Sequence, residues 1–204
     1  MANHCKADFV TLLTELEFYS HTCFARARCQ QFRPVIISEI IYSNLKFLSH
    51  MSEDTRKQAA SKTLVKHLQA LLANYHIHYQ NLRGFHWNVK GPHFFTLHEK
   101  FEEYYTGTAT RIDEIAERLR ALGARPVTRY SDYLKTAQIQ EAENTSDANG
   151  AVRQIINANE ILRDHVLHVL EAAGQASDTA TEDTFTPYLP ELETHNWMLK
   201  AYLG

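Results

Sequence analysis

The chain reads as an all-α protein, a bundle of four long helices. Two observations point there. Apolar residues recur at intervals of three and four over long stretches, and glycine and proline are scarce, at seven and five of 204 residues, which leaves room for long helices.

The first helix is marked by Leu64, Leu68, Leu71, Leu72, Tyr75, Tyr79 and Leu82 and is expected to end near Asn88, before the Gly91-Pro92 break. The second runs from about Phe94 to Leu122, with Gly123 placed as its C-terminal cap. A long connection from Ala124 to Asn144 carries a short helix, predicted near Tyr133 to Gln138. Val152, Ile155, Ile156, Leu162, Val166, Val169 and Leu170 mark the third helix, with Gly174 as its expected stop. Thr179 and Glu182 have capping-box spacing for the fourth. Pro187 and Pro190 fall inside that helix, so a kink, or a true start near Pro190, is expected.

Composition bounds the function. With 44% apolar and 22% charged residues, the chain can bury one good core. A net charge of −3 is not that of a general nucleic-acid binder. No apolar run reaches the length of a membrane span, and no signal-peptide pattern opens the chain. The cysteines, Cys5, Cys23 and Cys29, are odd in number and lack framework spacing, which suits a reducing cytoplasm. All three precede Met51, where the chain changes character. Residues 1–50 are expected to be an N-terminal extension, disordered or upstream of the true start, and residues 51–204 the functional domain.

The chemistry is concentrated on the second helix. His98, Glu102, Asp113 and Glu117 lie within about 100° of one face. Imidazole and carboxylate spaced i, i+4 can grip Fe(II) or Mn(II). An isolated pair of this kind is ordinarily solvated surface. Here two pairs share the face, and fifteen residues, about 22 Å of rise, separate His98 from Asp113. One ion cannot reach both pairs of one chain. Two copies packed antiparallel about a two-fold axis would bring the His98/Glu102 end of one against the Asp113/Glu117 end of the other, twice. Thr106 and Ala109, small residues on that face, would allow close approach.

The run His86-Trp87-Asn88, the segments Leu97-His98-Glu99 and Asp113 to Arg118, and the closing Trp197 to Leu203 resemble the Dps proteins, the mini-ferritins named for DNA-binding proteins from starved cells. The resemblance covers about residues 60 to 204. It implies a ferritin-like four-helix bundle in a hollow dodecamer built from two-fold dimers. It also implies ferroxidase sites between subunits, with His86, His98 and Glu102 from one subunit and Asp113 and Glu117 from its mate. The commoner residue at the position of Glu102 is Asp; glutamate keeps the charge and the donor oxygens. Hydrogen peroxide is the oxidant the resemblance implies, iron (Fe2+/Fe3+) the metal, and ferric mineral the stored product. Trp87 is a candidate electron donor, with Tyr105 also on the ligand face. Asp178, Glu182 and Asp183 resemble acids lining the family's iron-entry pore.

Two other readings compete with this one. A DNA-compacting protein needs phosphate contacts from Lys and Arg. The candidate tail, Met51 to Lys66, offers Arg56, Lys57, Lys62 and Lys66 but also Glu53 and Asp54. A bundle without metal function would not keep five ligand positions. An intra-bundle di-iron centre is disfavoured because no Glu-x-x-His motif occurs. His76/His78 point apart, and His165/His168 read as surface.

Overall fold

The computed structural model describes residues 33–143 and 147–204, with side chains described at 55, 58 and from 61 onward. The chain divides into two units, Met1–Glu53 and Asp54–Gly204. In the first unit the described backbone is helical from Arg33; the expectations for residues 1–32 lie outside the described residues.

The described residues form six helices and no strands: α1 (Arg33–Asn88), α2 (Phe94–Ala121), α3 (Tyr130–Thr136), α4 (Ala148–Ala176), α5 (Thr179–Phe185) and α6 (Tyr188–Leu203). Within the second unit, α1, α2, α4 and the α5–α6 pair make the four arms of a bundle, and α3 lies in the long connection. None of the described helices is long and apolar enough to cross a membrane.

The core has two parts. One joins Leu64, Leu68, Leu71 and Leu72 of α1 to Ile115 and Leu119 of α2, Leu162 and Val166 of α4, Phe185 of α5 and Tyr188 of α6. The other gathers Leu82, Phe85, Val89, Leu97, Phe101, Val152, Ile155 and Leu199 where α1 meets α2. A buried leucine or phenylalanine contributes about 1.5–3 kcal/mol, so these stripes, rather than intrinsic propensity, hold the helices together.

Several helix ends differ from expectation, each for a local reason. Gly123 does take the left-handed conformation (φ 77°) beyond α2, and Ala124 N–H donates to the Leu119 carbonyl, closing the last turn. Gly174, by contrast, stays inside α4. The helix ends at Ala176, and Ser177 adopts the left-handed turn at φ 56°. The N-cap of α5 is Asp178, not Thr179; its carboxylate accepts from the Thr181 N–H. Thr186 and Pro187 separate α5 from α6. Pro190 then sits in the first turn of α6, where a missing N–H costs no helical bond.

The short helix spans Tyr130–Thr136 rather than 133–138. Gln138 and Ile139 cannot join it because their N–H groups both donate to Asn74 Oδ1, at 2.9 Å. This is one of three amide clamps on α1. Gln69 pairs with the Arg125 carbonyl and the Val127 N–H, and Asn81 with the Gln140 carbonyl and the Ala142 N–H. A connection laid along a helix must satisfy its own backbone, and these side chains do so.

Candidate metal centre

The ligands are placed by the core residues beside them. Phe85, Leu97 and Phe101 are buried at 3%, 3% and 0% exposure. Each immediately precedes a candidate ligand: His86, His98 and Glu102. Anchoring one residue in the core turns the next by 100° toward the rim. Gly91, at φ 106°, makes the reversal between α1 and α2 that sets His86 beside His98.

The two imidazoles stack at 3.7 Å between centroids, 19° from parallel. Each also bonds the other's backbone. His86 Nδ1–H donates to the His98 carbonyl at 2.8 Å, and His98 Nδ1–H to the His86 carbonyl at 2.8 Å. A carbonyl only accepts, so both Nδ1 atoms carry the proton. In the neutral rings both Nε2 atoms then hold lone pairs. His86 lies in the last turn of α1, where helical carbonyls lose their i+4 donors, so the His98 ring also caps that helix. A ligating histidine usually has its other nitrogen fixed in this way.

Among the described residues, His86, His98 and Glu102 are brought together as one group suited to a metal, their ligand atoms within 4.8 Å of one another. His86 is buried, His98 half-buried and Glu102 exposed, so the group opens outward. Glu102 Oε1 accepts a hydrogen bond from the Tyr105 hydroxyl at 3.2 Å. The Tyr105 ring meets His86 edge-on at 5.4 Å.

Asp113 and Glu117 stand elsewhere. Helix α2 is continuous, so they lie about 22 Å along it from His98 and Glu102. Both are exposed, as are Thr106 and Ala109 between them and Glu102. The chain alone therefore assembles three of the five expected ligands and leaves two on the same uncovered stripe. Trp87 is 56% exposed, with the Arg83 guanidinium 4.7 Å from its ring.

The three expected pore acids differ in setting. Asp178 accepts two bonds from Arg118 Nη2, at 2.6 and 2.7 Å, and one from Thr181 Oγ1 at 2.6 Å. Burial opposes its ionisation, but Thr181 and Arg118 outweigh that and hold the carboxyl below its ordinary range. Glu182 is half-buried and Asp183 exposed.

The other histidines divide as well. His78 faces the bundle interior, and burial with His195 nearby pulls it down to about 3. His76 stacks on Tyr133 at 4.1 Å. His165, expected at the surface, is half-buried and meets Asn74 Nδ2 at 3.1 Å. The reciprocal Nδ1–carbonyl bonds and the amide clamps escaped sequence reasoning. Both depend on which segments lie side by side.

Comparison with known proteins agrees with this architecture. A family model described as a ferritin-like domain matches residues 65–204. A DNA protection during starvation protein 2 of Bacillus anthracis is 43% identical over 144 residues, covering 71% of this chain and 99% of the relative. A DNA protection during starvation protein of Porphyromonas gingivalis is 39% identical, covering 72% and 92%. Among solved structures, the Dps protein of Vibrio cholerae O1 superposes with a TM-score of 0.70 at 42% identity, covering 72% and 92%; it is described as one of the ferritin-like diiron-carboxylate proteins. That of Bacillus brevis gives 0.70 at 37% identity, covering 72% and 98%. On the match across residues 65–204, and on relatives covered over nearly their whole length, this chain belongs to the Dps family of ferritin-like proteins.

Proposed function

We propose that this protein oxidises Fe(II) with hydrogen peroxide at sites shared between two-fold related subunits. It then stores the ferric product as mineral inside a hollow homo-oligomer, a dodecamer by family analogy. The carrying observation is the paired orientation of His86 and His98. Their Nδ1–H groups are spent on backbone carbonyls, which leaves the Nε2 lone pairs as the free imidazole donors of a group that, with the Glu102 carboxylate, has its ligand atoms within 4.8 Å of one another. Imidazole nitrogen with carboxylate oxygen suits Fe(II) and leaves positions open for an oxidant. Asp113 and Glu117 of a mate, on the antiparallel copy of the same stripe, complete the donor set. Added carboxylates stabilise the higher charge of Fe(III), which favours electron loss.

Two Fe(II) ions supply both electrons that reduce one hydrogen peroxide to water. This removes together the two reactants that generate hydroxyl radical, and so protects DNA. Glu182 and Asp183 are the pore acids with carboxylates to offer passing iron, since Asp178 is engaged by Arg118. Direct DNA compaction is the weaker reading, because the net charge is −3 and the candidate basic tail is mixed in sign.

Combining His98→Ala with Asp113→Ala tests the site, since it removes one ligand from each half. Fast peroxide-driven Fe(II) oxidation should be lost while the helical circular dichroism signal stays. Oxidation at the wild-type rate would place the site elsewhere.

A further inference from the structure

Two tyrosines and an arginine lie between the metal centre and the exposed Trp87. Tyr105 donates its hydroxyl proton to Glu102 Oε1 at 3.2 Å and sets its ring edge against His86 at 5.4 Å. Tyr79 meets Tyr105 at 6.1 Å, ring to ring and near perpendicular. The Arg83 guanidinium lies 5.4 Å from the Tyr79 ring and 4.7 Å from that of Trp87.

We propose that Tyr105, and not the exposed Trp87, is the one-electron donor that completes peroxide reduction when a site holds a single Fe(II). This rests on the peroxide reading of the site given above. Reducing hydrogen peroxide to water takes two electrons, and one Fe(II) gives only one. The step balances with the phenol as the second source. Fe(II), hydrogen peroxide and the Tyr105 phenol become Fe(III), a neutral tyrosyl radical, hydroxide and water. The oxygen–oxygen bond breaks, iron and tyrosine each lose one electron, and the phenol's O–H proton leaves along its hydrogen bond to Glu102 to form the water.

Two features select Tyr105 over Trp87. A phenol oxidises readily only if its proton has somewhere to go, and Glu102 is an acceptor already in place. Indole would first become a cation radical. A guanidinium above the ring attracts the neutral indole but repels that cation. Arg83 therefore opposes a hole on Trp87, and on Tyr79 too, and confines it to Tyr105 beside the site.

The experiment uses the assembled wild-type protein and the variants Tyr105→Phe and Trp87→Phe. Each receives one Fe(II) per site without oxygen and is then mixed with excess peroxide, frozen within the turnover and read by electron paramagnetic resonance. Ring-deuterated tyrosine identifies a tyrosyl signal. Co(II) uptake, read by its visible absorption, reports whether each variant keeps an intact site. The wild type and Trp87→Phe should give a tyrosyl radical. Tyr105→Phe should lose it, retain Co(II) and release more hydroxyl radical to a spin trap.

A signal that persists in Tyr105→Phe, or a tryptophanyl signal lost only in Trp87→Phe, overturns the proposal. So does loss of Co(II) uptake in Tyr105→Phe, which would make Tyr105 a positioning residue for Glu102. A wild type that oxidises iron with no protein radical refutes the donor role of Tyr105 and leaves the site reading intact. A wild type that does not oxidise iron with peroxide refutes both.

Discussion

Removing the Asp178 carboxylate should cost stability, and the cost can be worked from its contacts. Asp178→Ala deletes the N-cap of α5, worth about 1 kcal/mol. It also strands Arg118, whose side chain is only 20% exposed and then keeps Thr181 Oγ1 as its partner in this cluster. Breaking a fully buried pair costs about 3–5 kcal/mol. The 20% and 16% exposure of the two side chains lowers this to about 2 kcal/mol after screening. The total is about 3 kcal/mol. Asp178→Asn keeps a competent cap and loses mainly the charge, so it should cost about 2 kcal/mol.

The assay is urea unfolding followed by helical circular dichroism, at one fixed protein concentration because assembly adds to stability. The pH dependence gives a second reading. A carboxyl held low in the folded state stabilises above its unfolded range, and that stability is lost as pH falls through the depressed value. The wild type should therefore converge on Asp178→Asn in acid. A loss below about 0.5 kcal/mol for both variants, the level of an ordinary surface change, would refute the reasoning.

Two further predictions concern other regions. His78 binds its proton only near pH 3 when folded but near 6.5 when unfolded. Stability should thus fall as pH drops through that window, by up to about 1.4 kcal/mol per unit. His78→Phe should flatten this slope by one proton, and unchanged slopes would contradict it. A chain beginning at Met51 should assemble and oxidise iron as the full chain does, because the family match starts at residue 65 and every expected ligand lies beyond it. Loss of particle mass on truncation would show that the earlier residues pack into the assembly.

Much of the fold was legible because its signal is local. The stripes of Leu64 to Leu82 and Val152 to Leu170 repeat at helical period whatever they pack against. The candidate ligands on α2 stood out for the same reason, since His98, Glu102, Asp113 and Glu117 share one helix and one face. What escaped was set by contacts distant in sequence. Asn74 shortens α3 from the far side of a 64-residue separation. The hold of Arg118 on Asp178 spans 60 residues of sequence. The mutual bonding of His86 and His98 needs the Gly91 reversal before either ring can find the other's carbonyl.

Ligands drawn from two subunits at each site are what a subunit-mixing experiment tests most directly. Subunits carrying His98→Ala and subunits carrying Asp113→Ala can be dissociated, mixed in equal amounts and reassembled. Random pairing makes half the dimers mixed, and each mixed dimer holds one site with both lesions and one with none. About a quarter of all sites should then be intact, with peroxide-driven Fe(II) oxidation near a quarter of the wild-type rate. A rate that stays at the level of the separate variants would contradict the shared site.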